Sequence, residues 1–119
     1  MALAQLREIR RRGLVQRSAR LGRYLVSLLK RLTIRDPDLW AEVRGVGLMV
    51  GLHLHRYDER PATVESLSMI KKMLQMGFVL LPEGAEADVI GFTPPLVIGE
   101  RDLDRTVAAL QRCLSSDRN

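Results

Sequence analysis

The sequence contains one cysteine, few aromatic residues and no long apolar run, and each shortage excludes a class of protein. Cys113 alone cannot form an internal disulfide, so the chain is not a disulfide-rich secreted scaffold. No stretch approaches the ~20 consecutive apolar residues that a membrane-spanning helix requires. Because aromatic residues make up only 4% of the chain, leucine, valine and isoleucine must supply most of the core.

The remaining composition is typical of one small globular domain. The 119 residues are 46% hydrophobic and 28% charged, which gives enough apolar surface to offset the entropy lost on folding. We therefore expect residues 1–119 to form a single domain in a cytoplasmic protein that does not bind a membrane.

Positive charge is concentrated in the first third of the chain. Residues 1–44 contain eleven Lys or Arg against four Asp or Glu, whereas residues 45–119 contain eight against ten. Three interpretations compete: a basic helix at residues 7–12 that binds nucleic acid or an acidic partner, an organellar transit peptide, or the solvated face of an amphipathic helix. The third is favoured, because several arginines lie opposite an apolar stripe and no aromatic residue lies among them to stack on a base.

The spacing of apolar residues predicts an α+β fold. Helical periodicity and strand-like alternation divide the chain into six elements, bounded by glycine and proline. These are a helix or helix pair over 2–33, a strand over 43–54, a helix over 61–76, strands over 78–81 and 88–93, and a helix over 100–114. The order α(α)-β-α-β-β-α predicts a small, mainly antiparallel sheet covered by helices.

Two of the predicted helices have apolar stripes that can be specified residue by residue. The helix over 61–76 has Thr63 as a possible N-cap, and its predicted buried stripe consists of Leu67, Ile70, Met73 and Leu74. The predicted buried stripe of the last helix consists of Leu103, Val107, Leu110 and Leu114. Cys113 lies beside that stripe and is expected to be a small buried hydrophobic residue.

Glycines alternate with apolar residues in the predicted strand over 43–54. Gly45, Gly47 and Gly51 would share one face of a single strand and leave it nearly bare. A bare face admits close packing of another backbone, and glycines in a strand also mark a bulge or a strong twist. Both interpretations remain open at this point.

Few residues stand out as candidates for chemistry. No glycine-rich phosphate loop precedes a helix, and no serine lies in a nucleophile elbow. Arg44, His53, His55 and Glu83 are the polar groups placed near the ends of strands. A metal site at the two histidines would need further ligands, and Cys113 is the only other soft ligand in the chain. The residues therefore predict neither a metal site nor a catalytic group.

Three motifs in order carry a family resemblance. The string Val-Arg-Gly-Val-Gly-Leu-Met-Val-Gly at 43–51, Gly-Phe-Val-Leu-Leu-Pro at 77–82 and Val-Ile-Gly-Phe-Thr-Pro-Pro-Leu-Val-Ile at 89–98 resemble the C-terminal domain of class III aminotransferases. That family comprises pyridoxal-phosphate enzymes of fold type I, among them acetylornithine, ornithine and 4-aminobutyrate aminotransferases. The resemblance extends from Ala2 to Leu114.

The resemblance implies a role within a larger enzyme. In this family the large domain holds pyridoxal phosphate through a lysine upstream of the region matched here, and two subunits form a homodimer. Lys30, Lys71 and Lys72 match none of the family's catalytic positions. We therefore expect a fragment that packs against the large domain, helps close the substrate site, and by itself binds no cofactor and is inactive. Alone, it should expose apolar surface and self-associate.

Two positions depart from the family pattern. Many relatives have an arginine before the Phe-x-Pro-Pro motif, whose guanidinium can bind a substrate carboxylate through two hydrogen bonds. Gly91 occupies that position here, so the usual carboxylate contact is expected to be missing. His53 stands where relatives commonly carry a glutamate. The alternative function from the residues alone is an interaction module whose basic N-terminal helix binds an acidic partner or nucleic acid.

Overall fold

A computed structural model of the chain describes residues 16–17, 19–46, 49–92 and 99–115. The described part contains three helices and one antiparallel sheet of four strands. In chain order these are α1 (residues 19–29), β1 (Leu39–Val46), β2 (Met49–Arg56), α2 (Thr63–Gln75), β3 (Leu81–Glu83), β4 (Val89–Phe92) and α3 (Glu100–Ser115). The predicted α+β class is confirmed. The first part of the predicted N-terminal helix lies outside the described residues.

The strand predicted over 43–54 is wrong, because the structure has an antiparallel hairpin there. β1 begins at Leu39, and Val46 pairs with Met49, so two residues connect the strands. A two-residue connection with glycine at its first position is a known hairpin signal, and Gly47 supplies that glycine in the sequence. Apolar residues alternate through residues 46–50 of the sequence without a change of period, so no local pattern separates the two strands.

The hairpin also separates the glycines that the sequence placed on one bare face. Gly45 lies opposite Val50, whereas Gly51 lies opposite Arg44, so the two glycines face opposite sides of the sheet. A Cβ on Gly45 would lie 3.1 Å from Val26 Cγ2 of α1. Gly45 therefore allows α1 to approach the sheet closely, in agreement with the close-packing interpretation at that one position.

The strand order β1-β2-β4-β3 places β3 at one edge of the sheet. The sequence predicted a strand over 78–81 that ends at Pro82, but β3 runs from Leu81 to Glu83 and includes that proline. Pro82 lacks a backbone N–H, and an edge strand tolerates this because one of its sides pairs with no other strand. The antiparallel pairing predicted for the last two strands is confirmed, with Pro82 opposite Ile90.

One face of the sheet forms the core together with the helices. The buried strand residues Val50, Leu52, Leu54, Ile90 and Phe92 share a face by register. Helix residues complete the cluster: Leu21, Leu25 and Leu29 from α1, Met69 and Met73 from α2, and Leu103, Val107, Leu110 and Leu114 from α3. The predicted stripe of α3 is confirmed at all four positions. Each fully buried leucine contributes roughly 1.5–3 kcal/mol of transfer free energy.

The buried stripe of α2 differs from the predicted one. Ser66, Met69 and Met73 are buried and Ile70 is half-buried, whereas Leu67 and Leu74 are 44% and 57% exposed. Ala62 is the N-cap, and Thr63 instead donates its hydroxyl hydrogen bond to the carbonyl of Glu86. The helix is thus rotated about its axis relative to the prediction, because both of its faces are apolar and tertiary packing selects between them.

A charged cluster connects the end of β2 to the start of α2. The Arg56 guanidinium donates to both carboxylate oxygens of Asp58 and, through Nη1, to Glu65 Oε2 at 3.2 Å. The backbone N–H of Arg60 also donates to Asp58, at 3.0 Å. The Arg56 hydrogen bonds, followed by that of Arg60, lower the pKa of the Asp58 carboxyl from its usual 3.8 to about 2.

We predict that Asp58→Asn destabilises the chain at neutral pH and that this loss disappears in acid. A carboxyl whose pKa is lower in the folded state stabilises the fold above its unfolded pKa, near 3.8, and this contribution is lost as pH falls towards about 2. Urea unfolding of both proteins between pH 7 and pH 2 measures the difference. The difference in unfolding free energy between the two proteins should be constant down to about pH 4 and should then decrease.

Glu86→Gln, which removes another exposed carboxylate, is the control. If the difference in unfolding free energy between Asp58→Asn and the wild type stays constant down to pH 2, the pKa of Asp58 is not lowered by Arg56 in the folded state.

Candidate functional site

The face of the sheet opposite the core is lined with polar and aromatic side chains. Register places two rows of cross-strand neighbours there: Glu42, His53, Val89 and Glu83 in one, and Arg44, Gly51, Gly91 and Leu81 in the next. Trp40 and His55 form a third pair on the same face. We call this surface the open face, because the core and the helices lie on the other side of the sheet. All four candidates from the sequence lie on this face: Arg44, His53, His55 and Glu83.

His53 is fixed by a carboxylate from outside its own hairpin. Its Nε2 lies 2.9 Å from Asp88 Oδ2, and both side chains are only 16% exposed. An ionised carboxylate only accepts hydrogen bonds, so the Nε2–H of His53 donates to Asp88. The other ring nitrogen, Nδ1, is buried and has no hydrogen-bond partner. Asp88, which lies 35 residues from His53 in sequence, was not identified from the sequence.

His55 lies between an aromatic ring and a second carboxylate. Its ring stacks on Trp40, with centroids 4.1 Å apart and planes inclined by 13°. Its Nε2 lies 3.2 Å from Glu42 Oε1. Arg44, whose Nη2 is 3.6 Å from the same oxygen, is the main cause of a lowered pKa for the Glu42 carboxyl. Glu42 therefore remains ionised, and it forms a polar cluster with the two histidines.

The Glu83 side chain lies over Gly91, the position at which the family resemblance implies an arginine in many relatives. A Cβ on Gly91 would lie 2.7 Å from Glu83 Oε1 and 2.9 Å from Glu83 Cγ. The missing side chain of Gly91 thus leaves a space that the Glu83 carboxylate fills. The sequence identified both residues but did not predict that they touch, because this contact depends on the β3–β4 register.

The described lysines do not fit a covalent cofactor site. Lys30 and Lys71 are exposed, and only Lys72 is half-buried. Lys72 lines an open groove of about 640 Å³, together with Arg35, Arg56 and Glu65 among others. A lysine nucleophile is activated by desolvation or by a neighbouring cation in a closed pocket, and this groove is open to solvent. The described part of the chain therefore offers no suitable anchor for pyridoxal phosphate.

Cys113 lies away from the open face and is not a candidate nucleophile. Cys113 is buried, as predicted, and burial raises the pKa of its thiol, which makes it a poor nucleophile. It lies in α3, on the opposite side of the sheet from the histidines.

The basic residues 7–12, Gly47 and the Pro94-Pro95 part of the third motif lie outside the described residues. None of the helices in the described part is long and apolar enough to cross a membrane.

Comparisons with known proteins agree on one family. The family described as Aminotransferase class-III matches residues 1–114. Ornithine aminotransferase from Saccharomyces cerevisiae is 32% identical over 96% of this chain and 26% of its own length. Acetylornithine aminotransferase from Archaeoglobus fulgidus is 36% identical over 89% of this chain and 24% of its own length.

Solved structures show the same relationship. Lysine aminotransferase from M. tuberculosis superimposes with a TM-score of 0.73 at 31% identity, over 92% of this chain and 23% of that one. A phospholyase from Arthrobacter, in complex with phosphoethanolamine, superimposes with a TM-score of 0.79 at 27% identity, over 97% of this chain and 28% of that one. The chain thus spans about a quarter of the length of the relatives it matches. Since the family match covers nearly all of its residues, the chain belongs to the class III aminotransferases.

Proposed function

We propose that these residues are the small domain of a pyridoxal-phosphate-dependent class III aminotransferase, which transfers an amino group between an amine or amino acid and an oxo acid. The family match over residues 1–114 carries the proposal. When bound in the complete enzyme, pyridoxal phosphate supplies the electron sink for this chemistry. The described lysines do not fit that group, so we assign its binding to the rest of the enzyme. A cytoplasmic homodimer is part of the same proposal.

The role of this domain is to cover the substrate site while packing against the large domain. Two apolar side chains on α2, Leu67 and Leu74, lie on one side of the helix and are substantially exposed. Val79, which precedes the edge strand β3, and Leu81, the first residue of that strand, are 73% and 53% exposed. Exposed apolar side chains of this size are typical of an interface. The relatives are about four times as long as this chain, which leaves ample protein to cover them.

We predict that the isolated chain self-associates through these leucines. Without the large domain, a second copy is the partner available to bury the exposed side of α2. Sedimentation equilibrium should show an average mass that rises with concentration. The double substitution Leu67→Lys with Leu74→Lys should return the mass towards that of a monomer, because two buried charges in an apolar contact are costly.

The matched control is Ser68→Lys with Gln75→Lys, which adds the same charge at two exposed polar positions of the same helix. It should leave association largely unchanged. A monomeric wild-type chain over the whole concentration range would contradict the proposed surface.

We further propose that the Glu83 carboxylate selects against substrates that present a carboxylate to the position of Gly91. In relatives with an arginine there, the positive charge binds that group. Here a negative charge fills the same space. A substrate carboxylate would meet like-charge repulsion, whereas a neutral or positively charged end would not. The favoured amino donor is therefore an amine whose distal end lacks a carboxylate.

In the complete enzyme, Glu83→Gln should raise kcat/KM for a donor with a distal carboxylate by about tenfold. Like charges roughly 10 Å apart repel by about 1.7 kcal/mol at an effective dielectric constant near 20, which corresponds to a factor of slightly more than ten. Kinetics with one carboxylate-bearing donor and one neutral amine donor provide the measurement. The neutral donor should change little.

Glu86→Gln, in the loop between β3 and β4, controls for the general loss of a negative charge. If Glu83→Gln leaves the ratio of the two kcat/KM values unchanged, Glu83 does not select the substrate.

A further inference from the structure

We propose that Glu42, His53 and His55 form a binding site for a divalent transition-metal ion on the open face of the sheet. One potential ligand atom from each residue can be chosen so that all three lie within 4.8 Å of one another. The site rests on the geometry of the sheet and of Asp88, and it is independent of the proposed transaminase function. No local sequence pattern indicates this site, because Glu42 comes close to the histidines only through the pairing of β1 with β2.

The strand register explains why these three side chains converge. Glu42 lies directly opposite His53, and His55 follows two residues later on the same face. The distance between His55 Nε2 and Glu42 Oε1 is 3.2 Å. Ligands of a tetrahedral zinc ion, with bonds of about 2.0–2.2 Å, lie roughly 3.4 Å from one another. Two of the ligands are therefore already spaced for a metal, and a ligand atom of the third residue, His53, lies within 4.8 Å of both.

The unsatisfied nitrogen of His53 is the second observation that points to a ligand. Its Nδ1 is buried without a hydrogen-bond partner, while its Nε2 is held by Asp88. In metal sites, a ligating histidine commonly donates its other ring N–H to a carboxylate, which fixes the tautomer and makes the free nitrogen more basic. The His53–Asp88 pair has this arrangement. A metal ion bound to Nδ1 would provide the partner that this atom lacks.

The donor set indicates the class of metal. Two imidazoles and one carboxylate suit Zn²⁺, Ni²⁺ or Cu²⁺, whereas Mg²⁺ and Ca²⁺ prefer sites made only of oxygen ligands. An ion can reach the cluster, since the side chain of Glu42 is 43% exposed and that of His55 is 24% exposed. Arg44 now lies 3.6 Å from Glu42, but its side chain is 58% exposed and can turn into solvent when a cation binds. Three protein ligands leave an open coordination position.

Trp40, the single tryptophan of the chain, provides a direct optical readout. Its ring stacks on His55, so a paramagnetic ion bound to that histidine should quench its fluorescence. The experiment titrates untagged, chelator-treated protein with Ni²⁺ at pH 7.5, followed by competition with Zn²⁺. We expect saturable quenching with one ion per chain, reversed by Zn²⁺.

Three variants and one control test the assignment. Glu42→Gln and His53→Ala should each weaken Ni²⁺ binding by at least tenfold, and Asp88→Asn, which acts through His53, by about tenfold. Glu42→Gln keeps the shape of the side chain and should preserve the fold, which circular dichroism checks. Asp102→Asn removes an exposed carboxylate from α3 and should bind Ni²⁺ like the wild type.

The proposal is overturned by either of two results. One is the absence of saturable quenching up to about 1 mM Ni²⁺, a concentration at which a site with micromolar affinity would be full. The other is quenching that is equally strong in Glu42→Gln, His53→Ala and the wild type, which would assign it to scattered surface groups.

Discussion

The antiparallel pairing of β1 with β2 determines both the core and the open face of this chain. Because side chains alternate along each strand, the register that turns Leu52 and Leu54 towards the helices also turns His53 and His55 away from them. A shift by one residue would exchange the two sets, burying the histidines and exposing the leucines. The apolar core therefore fixes the positions of the polar groups, although it makes no use of them itself.

The open face combines two features with different chemistry. At the edge of the sheet, Glu83 places a carboxylate over Gly91, and the proposed selection against substrate carboxylates rests on this contact. Towards the hairpin, Glu42 and the two histidines form a cluster with the spacing of a metal site. His53 and Glu83 belong to the same cross-strand row, with Val89 between them. The two features thus depend on one register but can be altered separately.

The sequence predicted those parts of the fold that depend on local periodicity. The buried stripe of helix α3 was predicted correctly, because the helix is apolar on only one side, from Leu103 to Leu114. In helix α2 the predicted Met73 is buried but Leu67 and Leu74 are exposed, because the helix is apolar on two sides and only packing against the rest of the chain selects one. The hairpin was missed because its short connection continues the alternation of the strands. The contacts of His53 with Asp88 and of Gly91 with Glu83 follow from strand pairing, which no local pattern encodes.

The central claim is that this chain is a small domain whose cofactor chemistry resides elsewhere in the enzyme. The most direct test incubates the chain with pyridoxal phosphate, reduces it with borohydride and maps the modified lysines by mass spectrometry. The account predicts only scattered, substoichiometric labelling, since Lys30 and Lys71 are exposed and Lys72 lies in an open groove. A stoichiometric, reduction-stable adduct on one of these three lysines would contradict it.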